Sequence, residues 1–320
     1  MERREIDLGA AAAQCLKCAM LPPRFLPVLL LLALLFAGAA PAKEKKGTED
    51  KAFIEYLPGT LPLIISAPHG GYLKPADMPD RSEGKVEQDS FTQEMARALR
   101  DEFKARTGGT PYLIICRLHR VKLDCNREIK EAAQGNATGE AAWKEYHAHI
   151  EEAKAEVQKT FGAGLYIDLH GQKHPEGRVE IGYLLTAKEL ALDDEAITKL
   201  AAKTGIRELD QRSPASFVEL LRGKTSLGAL LDAKGYTCVP SPTLHAPHEG
   251  ELYFNGGYDT ATHASRDGGT LSGFQIECPY NGVRDTKPDR ERFVKALCDV
   301  LTKEYFPAHF GKPLAPKKSP

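Results

Sequence analysis

Short apolar runs alternate with longer amphipathic segments over most of this chain, and that alternation predicts its elements. Phe53 to Leu57 reads as a strand entering a Pro-Gly turn, and Leu61 to Ala67 as a buried strand that stops at His69. Phe91, Met95, Ala98, Leu99 and Phe103 recur at helical spacing and predict a helix from Ser90 to Arg106. Trp143, Tyr146, Ile150, Ala153 and Val157 predict a second over residues 139–159. Further strands are expected at 111–116, 121–123, 165–169, 180–185 and 274–278. Helices are expected near 193–204, 216–234 and 289–305. Strands alternating with helices predict an α/β fold, a three-layer αβα sandwich, and no internal repeat is visible.

The amino terminus has a different character. Arg24 precedes an apolar run from Phe25 to Phe36, and Ala40-Pro41-Ala42 forms an A-x-A cleavage pattern before Lys43. Residues 1–42 are therefore expected to be a leader, its signal peptide starting at Met20. An uncleaved membrane anchor over 25–40 is the alternative. Either way the domain is expected to be exported, secreted or periplasmic. A linker is expected at 43–52, a single catalytic domain at 53–306 and a flexible basic tail at 307–320.

Composition narrows the function further. With 42% hydrophobic residues among 320, one large domain can bury a core. Lys plus Arg total 43 against 44 Asp plus Glu, so no basic field exists for nucleic acid. Of seven cysteines, Cys15 and Cys18 fall in the leader. The other five, Cys116, Cys125, Cys238, Cys278 and Cys298, are scattered and odd in number, which is not a disulfide scaffold. Buried thiols are expected, with Cys116 and Cys125 the nearest pair for a bridge. Asn136-Ala137-Thr138 fits a glycosylation acceptor.

The chemistry concentrates in a few strings. Ser66-Ala67-Pro68-His69-Gly70-Gly71 and Tyr166-Ile167-Asp168-Leu169-His170-Gly171 each end an apolar run in histidine and glycine, as ligands at a sheet edge do. Asp168 shares a strand face with His170 and suits the carboxylate that fixes a ligating imidazole's tautomer. A hydrolytic zinc needs a third protein ligand and an open position. Glu83, Glu87 and Asp89 are the candidates. Ser90 and Gln93 form a capping-box pattern, which leaves Asp89 free for a cation; an acid favoured by the helix dipole is the other reading. Arg117, Arg120 and Arg127 cluster around Asp124, and Asn126-Arg127 offers an amide and a guanidinium fork for a carboxylate. An internal Asp124–arginine salt bridge is the alternative. Glu277, in an apolar strand, is either paired with Arg284 or a general acid–base that hands water's proton to a leaving amine. In the long loop 240–264, His263 is a candidate for the pocket, whereas His245 and His248 are expected exposed. His119, His147, His149, His174 and His309 are assigned structural or solvent-facing places. No G-x-S-x-G occurs, which excludes the common serine-hydrolase elbow.

In order, S-A-P-H-G-G, D-C-N-R, Y-I-D-L-H-G, F-N-G-G-Y and Q-I-E resemble the N-formylglutamate amidohydrolase family, over roughly residues 55–300. The resemblance implies a phosphorylase/hydrolase-like fold with a mixed central sheet and a single zinc held by His69, His170 and an acid placed at Asp89. It also implies that Asn126 and Arg127 hold a substrate carboxylate and that Glu277 is the general base; Arg120 and His263 are further candidates for substrate binding. The substrate would be a small molecule or short peptide with a free carboxylate, cleaved at an amide or formamide. Zinc carboxypeptidases carry glutamate three residues after the first histidine; here Tyr72 stands there. A carboxypeptidase-like peptidase and a non-catalytic carboxylate-binding protein are the alternatives.

Overall fold

The computed structural model describes residues 52–317. The expected leader and nearly all of the expected linker lie outside the described residues. Seven strands form one sheet: β1 (Ile54–Leu57), β2 (Leu63–Ala67), β3 (Tyr112–Cys116), β4 (Gly164–Gln172), β5 (Val179–Gly182), β6 (Cys238–Val239) and β7 (Leu271–Pro279). Their order is β1-β3-β2-β4-β7-β5-β6. Strands β3, β2, β4 and β7 run parallel, whereas β1 is antiparallel to β3 and β5 to β7. Helices cover both faces of this mixed sheet, so the fold is the α/β sandwich that the alternation predicts.

Strand parity decides which side chain meets which layer. Leu63, Ile65 and Ala67 of β2 join Leu165, Ile167 and Leu169 of β4 in the core under the Thr92–Thr107 and Lys287–Val300 helices. Ile64 and Tyr166 face the other way, toward Tyr146, Ile150 and Val157 of the Ala137–Phe161 helix. Asp168 and His170 follow Tyr166 at two-residue intervals and share its face. In β7, Phe274, Ile276 and Cys278 enter the first core, which turns Gln275 and Glu277 to the face of His170. The register sets Asp168 beside Gln275, His170 beside Glu277, and Glu180 of β5 beside Glu277.

The chain path opens a crevice at the same edge. From β2 the Thr92–Thr107 helix leads to β3 on one side; from β3 the Ala137–Phe161 helix returns to β4 on the other. Diverging connections of this kind leave a ligand site beyond the carboxyl ends of the strands. His69 and His170 stand there.

Several boundaries differ from the sequence reading. β4 continues past Leu169 through His170 to Gln172, because β7 pairs it over that whole length. The strand expected at 121–123 is a turn closed by the Lys122 N–H on His119 O at 2.7 Å. The helix expected over 216–234 breaks at Gly223 into Phe217–Arg222 and Leu227–Asp232, and the one over 193–204 is also in pieces. The tail expected to loosen at 307 instead forms a helical turn, Phe306–Phe310, with Phe310 and Leu314 buried in the core. Its apolar side chains hold it down despite the flanking lysines. Cys116, Cys125, Cys238, Cys278 and Cys298 are all buried free thiols. Asn136 caps the helix after it, accepting the Gly139 N–H at 2.8 Å. Among the described residues no helix is long and apolar enough to cross a membrane.

Gly171 shows why a glycine follows His170. A Cβ there would stand 2.3–2.7 Å from the Arg284 guanidinium. Arg284 is buried and donates to the carbonyls of Ser90, Gln172 and Cys278, tying the ends of β4 and β7 to the turn before the Thr92 helix. Gly171→Ala is expected to cost about 1–3 kcal/mol through overpacking. Urea denaturation checks this; an unchanged midpoint would mean the guanidinium swings aside freely.

Candidate metal centre

Three electron-rich atoms converge in the crevice. His69 Nδ1 lies 3.1 Å from His170 Nδ1, and Asp89 Oδ2 lies 3.4 Å from the first and 3.1 Å from the second. Among the described residues His69, Asp89 and His170 form one of two groups able to offer three ligand atoms to one ion, and all three are buried.

The tautomers follow from what stands behind each ring. His69 Nε2 is 2.6 Å from Asp124 Oδ1, and His170 Nε2 is 2.8 Å from Asp168 Oδ2. A carboxylate accepts only, so each Nε2 carries a proton, and in the neutral ring it is Nδ1 that keeps the lone pair for a cation. Asn126 Nδ2 also lies 3.1 Å from His170 Nε2, but Asn126 Oδ1 accepts the Asp259 N–H at 2.8 Å. That leaves Nδ2 a donor, and the charged Asp168 is the acceptor for His170. Asp168 in turn accepts from Ser66 Oγ at 2.7 Å, and Ser66 bonds the Tyr166 hydroxyl. Asp124 accepts from the Asn126 N–H at 3.1 Å and from the Arg120 guanidinium at 2.9 Å.

Two lone pairs and a carboxylate oxygen facing one another repel unless a positive charge sits among them. The electrostatics agree. Burial opposes charge on Asp89, yet the two imidazoles outweigh it and hold the carboxyl well below its usual range. Burial likewise opposes charge on His170, but Asp168 and then Asp89 raise its pKa well above that of free histidine. Ligands of tetrahedral zinc at ~2.0–2.1 Å stand roughly 3.3–3.4 Å apart. The observed spacings fit that face, and both histidines have the carboxylate backing that ligating imidazoles use.

Asp89 reaches this point by a different turn from the one predicted. No capping box forms: the helix starts at Thr92 after Phe91 in the left-handed region (φ 70°), with no side-chain cap. Asp89 O instead accepts from the Thr92 hydroxyl at 2.9 Å, and its carboxylate from the Gly171 N–H at 3.2 Å. The glycines after His69 allow the close approach. A Cβ on Gly71 would meet the Arg117 carbonyl carbon and Leu118 O at 2.3 Å, and one on Gly70 the Thr92 hydroxyl at 2.5 Å.

A cleft of ≈ 510 Å³ opens over the three atoms. Glu277 lines it, and its Oε1 accepts from Gln275 Nε2 at 2.9 Å while Oε2 has no partner among the described residues. Burial pushes its pKa up to about 8, with Asp89 and Glu180 adding to the push and His170 opposing it. Arg284, spent on carbonyls, does not pair with it.

The residues expected to hold a carboxylate are divided. Arg127 lines the cleft; Nε binds Glu131 at 3.2 Å and Nη1 the Asn126 carbonyl at 2.7 Å. Arg120 also borders the cleft, but its fork is committed to Asp124, so the internal salt bridge is what forms there. Asn126 borders it too, with its amide used on Asp259 and packed against His170. His263 is not at the cleft at all. It sits on the Tyr258–His263 helix with Nδ1 2.8 Å from Glu151 and Nε2 2.7 Å from His147 Nδ1. Glu87 lines the cleft outside the trio and Glu83 does not. Sequence reasoning missed Asp124 as the carboxylate behind His69, and it assigned His174 a structural or solvent-facing place although His174 lines the cleft.

His147, Asp259 and His263 form the second group with metal-ligand chemistry. It is built differently. The two rings are spent on each other at 2.7 Å, and Asp259 Oδ1 is 3.9 Å from His147 Nε2, which donates to the Cys125 carbonyl. The three do not aim at one point as the first trio does. They brace the Cys125–Asn126 turn from behind.

No family model and no curated protein matches this chain. Solved structures resemble it, two of them over most of its length. One is an N-formylglutamate amidohydrolase from Ralstonia eutropha JMP134, 14% identical over 78% of this chain and 95% of that one, with a TM-score of 0.48. The other is a gene product of Agrobacterium tumefaciens, 14% identical over 78% and 94%, with a TM-score of 0.45.

Purified wild-type protein is expected to carry about one equivalent of divalent metal, and His69→Ala and His170→Ala to lose it, because the ligands are part of a single site. Elemental analysis checks this; full metal in either variant would remove that residue from the site. A second expectation concerns pH. Burial, then the neighbouring His263, lowers the His147 pKa to about 3 from 6.5. The unfolded chain therefore binds this proton more readily, and the contribution to stability is complete above about pH 6.5 and lost as pH falls toward 3. Between pH 7.5 and 5 that loss is on the order of 2 kcal/mol. Urea unfolding at both pH values should show a smaller drop for His147→Gln; an equal drop would assign the loss elsewhere.

Proposed function

We propose that this chain is an exported, metal-dependent amidohydrolase, cleaving the amide or formamide C–N bond of an N-acyl amino acid such as N-formylglutamate. One observation carries the reading: three convergent donor atoms, His69 Nδ1, His170 Nδ1 and Asp89 Oδ2, share a cleft with a partnerless carboxylate oxygen of Glu277. The strand register supports it, since His170 and Glu277 are direct neighbours on β4 and β7. The run at 25–36 and the Ala40-Pro41-Ala42 triplet support export as part of the proposal.

When bound at the trio, a zinc-like cation would supply Lewis-acid polarisation of water and carbonyl. The chain's own residues do the rest. Asp124 and Asp168 hold the two rings in one tautomer. Glu277, in its ionised form, accepts the proton of the attacking water as the C–O bond forms. The cleft suits a small molecule rather than a long peptide. Cationic Lys85, Arg127 and Lys173 border it and favour an anionic substrate, with Arg127 the group nearest the Asn126 turn able to meet a carboxylate.

Purified enzyme is expected to release amine from N-formyl or N-acyl amino acids and to leave longer peptides intact. Glu277→Gln should lower kcat by about 10²–10⁴ while keeping its metal. Steady-state kinetics with metal analysis tests both points. Hydrolysis of peptides alone would replace the proposal with a carboxypeptidase-like one, and ligand binding without turnover with a carboxylate-binding protein.

A further inference from the structure

The cleft also carries an ionisable pair that the proposed reaction has not used. His174 lines the same cleft as His170, Gln275 and Glu277. Its Nδ1 is 2.8 Å from Glu180 Oε1, and the second Glu180 oxygen accepts the Phe254 N–H at 2.8 Å. Glu180 is 0% exposed, so both of its oxygens are held in place and its position is set by the sheet. The Phe254 ring packs on the imidazole with centroids 4.6 Å apart. Gln172 fixes the backbone beneath, accepting the His174 N–H at 2.5 Å and donating to Arg178 O at 2.8 Å.

This arrangement leaves one nitrogen over. Glu180 accepts from Nδ1–H, and Nε2 has no hydrogen bond among the described residues. Here the register sets Glu180 directly beside Glu277, so the pair stands one strand away from the carboxylate proposed to accept water's proton. An imidazole that lines a cleft, with one nitrogen fixed by an acid and the other without a hydrogen bond, has the arrangement of a general acid–base.

We propose that His174, oriented by Glu180, is the general acid that protonates the departing amine. This rests on the amidohydrolase reading and divides proton transfer between two residues. Glu277 accepts one proton of water as the new C–O bond forms. As the C–N bond breaks, its electron pair takes the Nε2 proton of the His174 imidazolium, and neutral amine leaves. His174 is then neutral with Nδ1–H still on Glu180. The proton held by Glu277 returns to His174 through solvent, so hydroxyl ends on the acyl group and hydrogen on the amine. Glu180 is a positioning residue in this scheme.

The test uses leaving groups. Wild type, His174→Gln, His174→Ala and Glu180→Gln are assayed on an N-acyl amino acid and on the 4-acyloxybenzoate with the same acyl group, whose phenolate departs without a proton. For both His174 variants kcat on the amide should fall about 10²-fold, with KM and metal content unchanged and ester turnover within threefold of wild type. Glu180→Gln should show a smaller loss, also confined to the amide. Equal losses on amide and ester, or none on the amide, would overturn the role of His174 while leaving the amidohydrolase reading intact. Absence of amide hydrolysis by wild type would overturn both.

Discussion

Each imidazole of the centre has one nitrogen committed to a buried carboxylate, and that commitment determines where the other nitrogen aims. Were Asp124 or Asp168 absent, either ring could present a proton to the crevice instead of a lone pair, and the trio would be a hydrogen-bonded cluster. The carboxylates behind the rings therefore matter as much as the atoms in front. Their own positions are over-determined. Asp168 is held by Ser66, itself tied to Tyr166, and Asp124 by Arg120 and the Asn126 amide. Burial opposes charge on Asp124, yet His69 and then Arg120 and Arg127 hold its carboxyl far below the ordinary range.

The sheet makes this assembly affordable. Parity sends one set of β4 and β7 side chains into an unbroken apolar core and leaves the other set for polar work at the carboxyl edge. Because β4 and β7 are parallel and in register through their last residues, Asp168, His170, Gln275 and Glu277 form a small block whose spacing comes from the backbone. Sites built on strands in this way are more exact than sites on loops. The loop-borne members, His69, Asp89 and Asp124, need extra fastening. Two glycines after His69, the left-handed Phe91 and the carbonyl-binding Arg284 supply it.

Much of this was legible in the sequence where the signal is local. The two histidine-glycine strings, the carboxylate two residues before His170 and the isolated Glu277 all announce themselves by strand spacing, and the fold brings them together. The alternation of strands and helices likewise carries the α/β class. What the sequence hid is long-range. Asp124 lies 55 residues from His69, and nothing in D-C-N-R says that its aspartate faces an imidazole. Arg120 and Arg127 look equivalent in sequence, yet the i, i+4 spacing of Arg120 to Asp124 spends the first guanidinium internally. His263 shares its string with the glycines bordering the cleft, but a helical turn starting at Tyr258 carries it back to His147. His174 looks solvent-bound because its partner, Glu180, lies six residues on across the turn between β4 and β5, a spacing that brings no side chains together within a helix or strand. In each case the deciding contact is set by sheet pairing or a turn, neither of which a local pattern encodes.

The charge balance of the centre links its two halves. Asp124 is buried beside the guanidiniums of Arg81 and Arg120, Asp89 lies near Arg120, and Asp168 stands behind His170. Burial is the main push on Glu277 up to about 8; His170 opposes it, and Asp89 and Glu180 add to it. A divalent cation at the trio would add positive charge close to Glu277, and a neighbouring carboxyl then ionises more readily. The buried Glu277 would then be held in the ionised form that can accept a proton. Proton acceptance at Glu277 and occupancy of the trio are coupled through the same few ångströms of low-dielectric protein.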